Sequence, residues 1–133
     1  MNGNEPTLEE AREIFDKDRF ATKAAGCRIL EARRGHAVCE MPIHDIHRNA
    51  MGGVMGGAIF TLADFALAIA SNIREEPSVA VSNTINFMSA TKGSVLKATC
   101  DVDKSGRRLG FYTVNVEDDT GRLVAKMCAT CAR

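Results

Sequence analysis

The chain has 133 residues, 45% hydrophobic and 26% charged, enough for one globular domain with its own core, too few for two, and too apolar for a disordered segment. Its 17 lysines and arginines balance 17 aspartates and glutamates, which excludes an overall field that would gather nucleic acid or an anionic membrane surface. Any anion site must therefore be local.

Residues 1–133 read as one domain, with residues 1–22 as an N-terminal helical segment within it. That segment is polar and acidic where a secretion signal is basic and then apolar, so a cytoplasmic location is expected. Leu8, Ala11, Ile14 and Phe15 recur at helical spacing, and Thr7 with Glu10 three residues on has the form of a capping box. From Cys27 to Ile43 two short apolar or alternating runs meet at Arg34-Gly35 and predict a hairpin. A polar stretch, His44 to Gly53, leads out of it; His44 and His47 are expected to be ordinary solvated histidines. Ala58 to Ala70 is then apolar except for Thr61 and Asp64. It is shorter than the roughly 20 residues that cross a bilayer, so it predicts a buried helix and no membrane association.

Arg74 to Pro77 should break the chain, after which Val79 to Ala90 alternates like a strand. Three more strands follow, joined by turn signals at Lys104-Ser105-Gly106 and Asp118-Asp119-Thr120-Gly121. No second helix is available to cover the sheet, so the sheet must wrap the one long helix. This predicts an α+β fold in which that helix is wetted only where a ligand or a second subunit meets it. The five cysteines, Cys27, Cys39, Cys100, Cys128 and Cys131, are odd in number and lie mostly within these apolar segments, as small core residues do in a reducing compartment. Cys128 and Cys131 are three apart, which in a strand puts them on opposite faces. With His36 also isolated, no metal site is predicted.

Asp64 is the anomaly. A charge taken out of water costs several kcal/mol, comparable with what a domain has to spare. It could cap a loop or pair with an arginine at an interface, or it could do chemistry. Gly56 and Gly57 open the same helix, where backbone N–H groups are unpaired and carry the positive end of the helix dipole. Without side chains they admit another molecule to those amides, as an oxyanion site requires, although two glycines can also serve only as a tight turn. Gly56 and Asp64 are eight residues apart, about 12 Å along a helix, whereas a reacting carbonyl needs both groups at roughly 3 Å. If both act on one substrate, Asp64 of one chain faces Gly56 of another across a two-fold axis.

Asn49, Gly52, Gly56, Gly57 and Asp64 in NAMGGVMGGAIFTLAD resemble the Asn-x-x-Gly-x-x-His-Gly-Gly…Asp motif of the PaaI-like hot-dog-fold acyl-CoA thioesterases. The likeness extends over nearly the whole chain, including INFMSA and DDTGRLVAK. It implies a five- or six-stranded antiparallel sheet around a central helix, and homodimers that join sheets edge to edge and often pair into homotetramers. It also implies hydrolysis of an acyl-CoA to an acid and free CoA, with coenzyme A as part of the substrate and no other cofactor. By position, Asp64 takes the role of nucleophile or general base, the Gly56 amide polarises the thioester carbonyl, and Asn49 orients the water or the thioester.

The chain departs from the motif at Met55, where the family usually has histidine, and at Ala80, where some members carry a polar residue. Substrate contacts are expected from Met55, Gly57, Phe60 and Phe87, with Phe65 as a further wall. Lys104, Arg107 and Arg108 are candidates for the CoA phosphates, and Lys92 and Arg122 lesser ones. The alternative is a hot-dog protein that binds an acyl thioester without turning it over; a dehydratase would want the missing histidine.

Overall fold

The computed structural model of the protein describes residues 5–73 and 77–133. Residues 1–4 and most of the expected break, Arg74 to Glu76, lie outside the described residues. Helix α1 spans Leu8–Phe15 and begins as its sequence implies: the Thr7 hydroxyl accepts from the Glu10 amide at 3.1 Å while the Thr7 amide donates to the Glu10 carboxylate at 2.9 Å. The helical segment expected over residues 1–22 does not run on unbroken. It stops at Phe15 and resumes as a separate π-helical turn, Phe20–Ala24. Between the two, the Thr22 hydroxyl donates to the carbonyls of Asp16 and Asp18, which fixes the change of direction.

Six strands follow: β1 (Arg28–Arg33), β2 (His36–Pro42), β3 (Val79–Phe87), β4 (Val95–Ser105), β5 (Leu109–Asp118) and β6 (Leu123–Ala132). The long helix α2 (Gly56–Asn72) lies between β2 and β3. All neighbours are antiparallel, in the order β1-β2-β4-β5-β6-β3. Local turn chemistry makes the β1–β2, β4–β5 and β5–β6 hairpins where the sequence implies them. The chain enters α2 from β2 and returns at the far edge, so among the described residues β3 pairs only with β6 and its other edge is open.

The sheet curls around α2 in the expected hot-dog architecture. Leu62, Leu67 and Ile69 of the helix are buried in one core with Met41, Leu96, Val114, Val116 and Met127 of the strands. Each such side chain contributes about 1.5–3 kcal/mol on burial. Gly35 closes the far end: its amide donates to the Ala70 carbonyl, its φ is +77°, and an added Cβ would lie 2.7 Å from Val102 Cγ1. Only glycine meets both demands. Cys131 is buried and Cys128 exposed, on opposite faces of β6 as their spacing requires. Burial holds the Cys27 thiol protonated by pushing its pKa up to about 12.

The helix is not enclosed on every side. Gly57, Thr61, Asp64 and Ala68, at successive turns of α2, form a stripe that the sheet leaves open.

Candidate active site

The loop before α2 is built around Asn49. Its Oδ1 accepts from the amides of Met51 (3.0 Å) and Gly53 (3.1 Å), and its backbone amide donates to the Gly53 carbonyl. Two N–H groups converging on one atom identify it as the oxygen. The Nδ2 end therefore remains as a donor, without a partner among the described residues. This geometry narrows the role of Asn49: it can donate to a carbonyl or a water, and it has no free acceptor.

Met55 caps α2 in extended conformation without a side-chain hydrogen bond, and its carbonyl accepts from the Ala58 and Ile59 amides. The Gly56 and Gly57 amides have no partner among the described residues. Gly56 and Asn49 line one hollow, together with Val54, Ile59, Phe87 and Met88. Phe87 closes over the glycine so tightly that an added Cβ at Gly56 would lie 3.1 Å from Phe87 Cζ. Gly56, with its unpartnered amide, and Asn49, with its free NH2, thus border one recess at a helix N-terminus, a place that suits a developing negative charge.

Asp64 lies elsewhere. It lines a second hollow with Asp18, Phe20, Phe60, Thr61 and Phe65. One side of it is open to solvent, and neither carboxylate oxygen has a hydrogen-bond or ion-pair partner among the described residues. Arg19 lines the same hollow without pairing with it. Desolvation by the surrounding side chains, and then the nearby Asp18 carboxylate, raise the Asp64 pKa above its ordinary value. Among the described residues Asp64 caps no loop and pairs with no arginine of its own chain.

The remaining candidates divide by position. Phe60 and Phe65 belong to the Asp64 hollow and Phe87 to the Asn49 hollow, while Met55 and Gly57 line a third, apolar one. Lys104, Arg107 and Arg108 are at the other end of the sheet. Phe87 registers with Ala125 of β6, and Val79 with Ala132 beside Leu109. Seven residues of strand, about 23 Å, separate the β4–β5 turn from the Asn49 hollow within one chain. Lys92 and Arg122 are at the Asn49 end, in segments held by Asp118.

Two residues, neither of them expected at a site from the sequence, shape this region. His47 is 4% exposed, not solvated. Its Nδ1 accepts from the His44 amide at 2.9 Å and its Nε2 donates to the Ala25 carbonyl at 2.7 Å, pinning the loop before α2 to the π-helical turn. Asp118 is likewise buried and accepts from the Thr91 and Thr120 hydroxyls and from the amides of Lys92, Thr120 and Arg122. These bonds, the Thr120 hydroxyl foremost, hold its pKa well below the usual carboxylate range and fasten the loop whose Ser89, Ala90 and Thr91 wall the Asn49 hollow. The turn at Asp118 is a local signal, but the bonds that tie His47 to Ala25 and Asp118 to Thr91 and Lys92 span 22 to 27 positions and leave none.

Comparison with known proteins converges on one family. The model of the thioesterase superfamily matches residues 51–125. Human acyl-coenzyme A thioesterase 13 is 31% identical over 95% of this chain and 94% of its own. Acyl-coenzyme A thioesterase PaaI of Escherichia coli K12 is 31% identical over 88% of this chain and 84% of its own. The solved structure of the E. coli PaaI protein from the phenylacetic acid degradation operon superposes with a TM-score of 0.83 at 26% identity, covering 96% of both chains.

Proposed function

The chain belongs to the thioesterase superfamily, and from that premise we propose that it hydrolyses acyl-CoA thioesters at sites shared between two protomers. The observation that carries this reading is that Asn49 and Gly56 line one hollow and Asp64 another, with Gly56 and Asp64 about 12 Å apart along α2. Neither hollow alone holds both an oxyanion site and a base. The open β3 edge supports the dimer: Val79, Val81, Phe87 and Met88 are all more than half exposed there, and an uncovered apolar edge is an aggregation hazard.

A two-fold axis that pairs the β3 edges antiparallel sets the Val79 end of one protomer beside the Phe87 end of its partner. The Lys104–Arg108 turn of one chain then serves the Asn49 end of the other, where the CoA phosphates need cations.

In this site the Gly56 amide and Asn49 Nδ2 donate to the thioester oxygen. Asp64 of the partner subunit takes a proton from a water, whose oxygen forms the new C–O bond. The resulting oxyanion collapses, the C–S bond breaks, and CoA leaves as a thiolate that needs little acid assistance. A carboxylate with a raised pKa is a better base than an ordinary one, as this route requires. Met55 takes no part in proton transfer.

The test is release of free CoA thiol from phenylacetyl-, benzoyl- and straight-chain acyl-CoAs by the wild type and Asp64→Asn. Turnover of some member, lost about 100-fold or more in the folded variant, supports the reading. Binding of acyl-CoA without turnover by either protein replaces it with a non-catalytic acyl-thioester binder. Direct attack would pass through an acyl-Asp64 anhydride, and trapping of that acyl-enzyme with hydroxylamine, or 18O found in Asp64 after a single turnover, identifies that route.

A further inference from the structure

Next to the Asp64 hollow is a chamber of about 400 Å³ between the π-helical turn and the start of α2. It shares two wall residues, Phe20 and Thr61, with the Asp64 hollow. Its other walls include Ala24, Ile46, His47, Met55, Gly57 and Ala58. We infer that this chamber receives the acyl group of the thioester, that it selects an apolar acyl group without polar substituents, and that Phe20 is the residue that sets how large that group can be. The inference rests on the thioesterase reading above.

Three observations converge on it. The first is chemical: the polar side chains at the wall are already engaged. The Thr61 hydroxyl donates to the Gly57 carbonyl at 2.8 Å, and both ring nitrogens of His47 are bonded outside the chamber, to His44 and Ala25. A hydroxyl or carboxylate on the acyl chain would lose water and find no free side-chain donor among the lining residues, with the Gly57 amide unpartnered at the rim, whereas an apolar chain gains by burial. At Met55 the family motif has an imidazole; here a flexible thioether removes one more polar group from the wall.

The second observation is exposure. Phe20 is 71% exposed, Ile46 75% and Met55 46%, and all three border the same concavity. Large apolar residues grouped around a hollow mark a binding site more often than they serve the fold.

The third is continuity. Phe20 and Thr61 separate the chamber from the carboxylate, so an acyl carbon bonded to a thioester held before Asp64 has the chamber directly beside it. The space comes from small residues, Ala24, Gly57 and Ala58, while Phe20 supplies the aromatic wall, on the side that faces the Asp64 hollow. Phe20 is carried by the π-helical turn, whose position His47 fixes through Ala25, and its side chain is mostly exposed. Truncating it leaves the buried core intact.

The experiment measures kcat/KM for straight-chain acyl-CoAs of increasing length, and for ω-hydroxy analogues of each, on wild type, Phe20→Ala and Ala24→Phe. Ala24 is exposed, so the larger ring can enter the chamber from its rim without displacing the core. With Phe20→Ala the preferred chain lengthens; with Ala24→Phe it shortens. The long-to-short ratio of kcat/KM moves in opposite directions by about tenfold or more in the two variants. The ω-hydroxy analogues are poorer substrates than their parents in all three proteins.

Equal changes at every chain length in both variants, with hydrolysis retained, overturn the chamber assignment while leaving the thioesterase reading standing. So does a change of oligomeric state without a change of selectivity, which makes a second copy of the chain the occupant. Absence of turnover by the wild type on every acyl-CoA defeats the parent reading instead.

Discussion

Mixing two inactive variants tests the shared site directly. Asn49→Asp retains an oxygen for the Met51 and Gly53 amides that hold the loop, yet replaces the free NH2 with a second acceptor. Loss of one oxyanion donor lowers kcat by about 100- to 1,000-fold. Asp64→Asn removes the base and costs about 100-fold or more. Each homodimer is then nearly inactive. If the reacting groups come from different protomers, a heterodimer of the two variants has one site carrying both substitutions and one carrying neither. Random pairing at equal concentration makes half of all dimers heterodimers, so activity returns to about a quarter of the wild-type value. The assay is thiol release after co-refolding, with two affinity tags to show that heterodimers formed. Tagged heterodimers with no more activity than the separate variants would refute the reasoning, and place Asn49, Gly56 and Asp64 of one chain at one site.

Other outcomes follow from single contacts. The Asp64 pKa is raised in the fold, so the protonated form is the one the fold favours, and the carboxylate lowers stability once pH rises through that pKa. Asp64→Asn should therefore melt above the wild type at pH 7, with the difference shrinking as pH falls; calorimetry against pH measures it. The same shift places the acid limb of kcat/KM above the ordinary aspartate value of about 3.9, because the base must be ionised to act. His47→Ala strands the buried Ala25 carbonyl and loosens the π-helical turn, and should cost about 2 kcal/mol or more in urea unfolding. Asp118 shows the opposite sign from Asp64. Its depressed pKa gives stability that is present above the unfolded value and lost as pH falls below it, so Asp118→Asn should melt lower at pH 7 and lose that deficit in acid.

The sequence by itself determined the elements whose causes are local. Thr7 and Glu10 specify the start of α1, Arg34-Gly35 the first hairpin, Asp118 to Gly121 the last, and alternation the faces of β5 and β6. It also singled out Asp64, because one carboxylate in an apolar helix conflicts with the pattern around it. The eight-residue spacing to Gly56 already argued that one chain cannot bring the two together.

Tertiary structure decided what depends on distant partners. That β3 docks beside β6 and leaves its outer edge open follows from where α2 delivers the chain, which no residue of β3 encodes. Burial of His47 depends on the Ala25 carbonyl, 22 residues earlier, and the exposure of Phe20 depends on a helix that stops at Phe15 and restarts as a π-turn. The place of Lys104, Arg107 and Arg108 at the far end of the sheet is a matter of strand register, and register is fixed by pairing between strands. Hydrogen-bond caps and periodicity act over three or four residues and can be read from the chain; packing and pairing act across the whole of it and arise only when it folds.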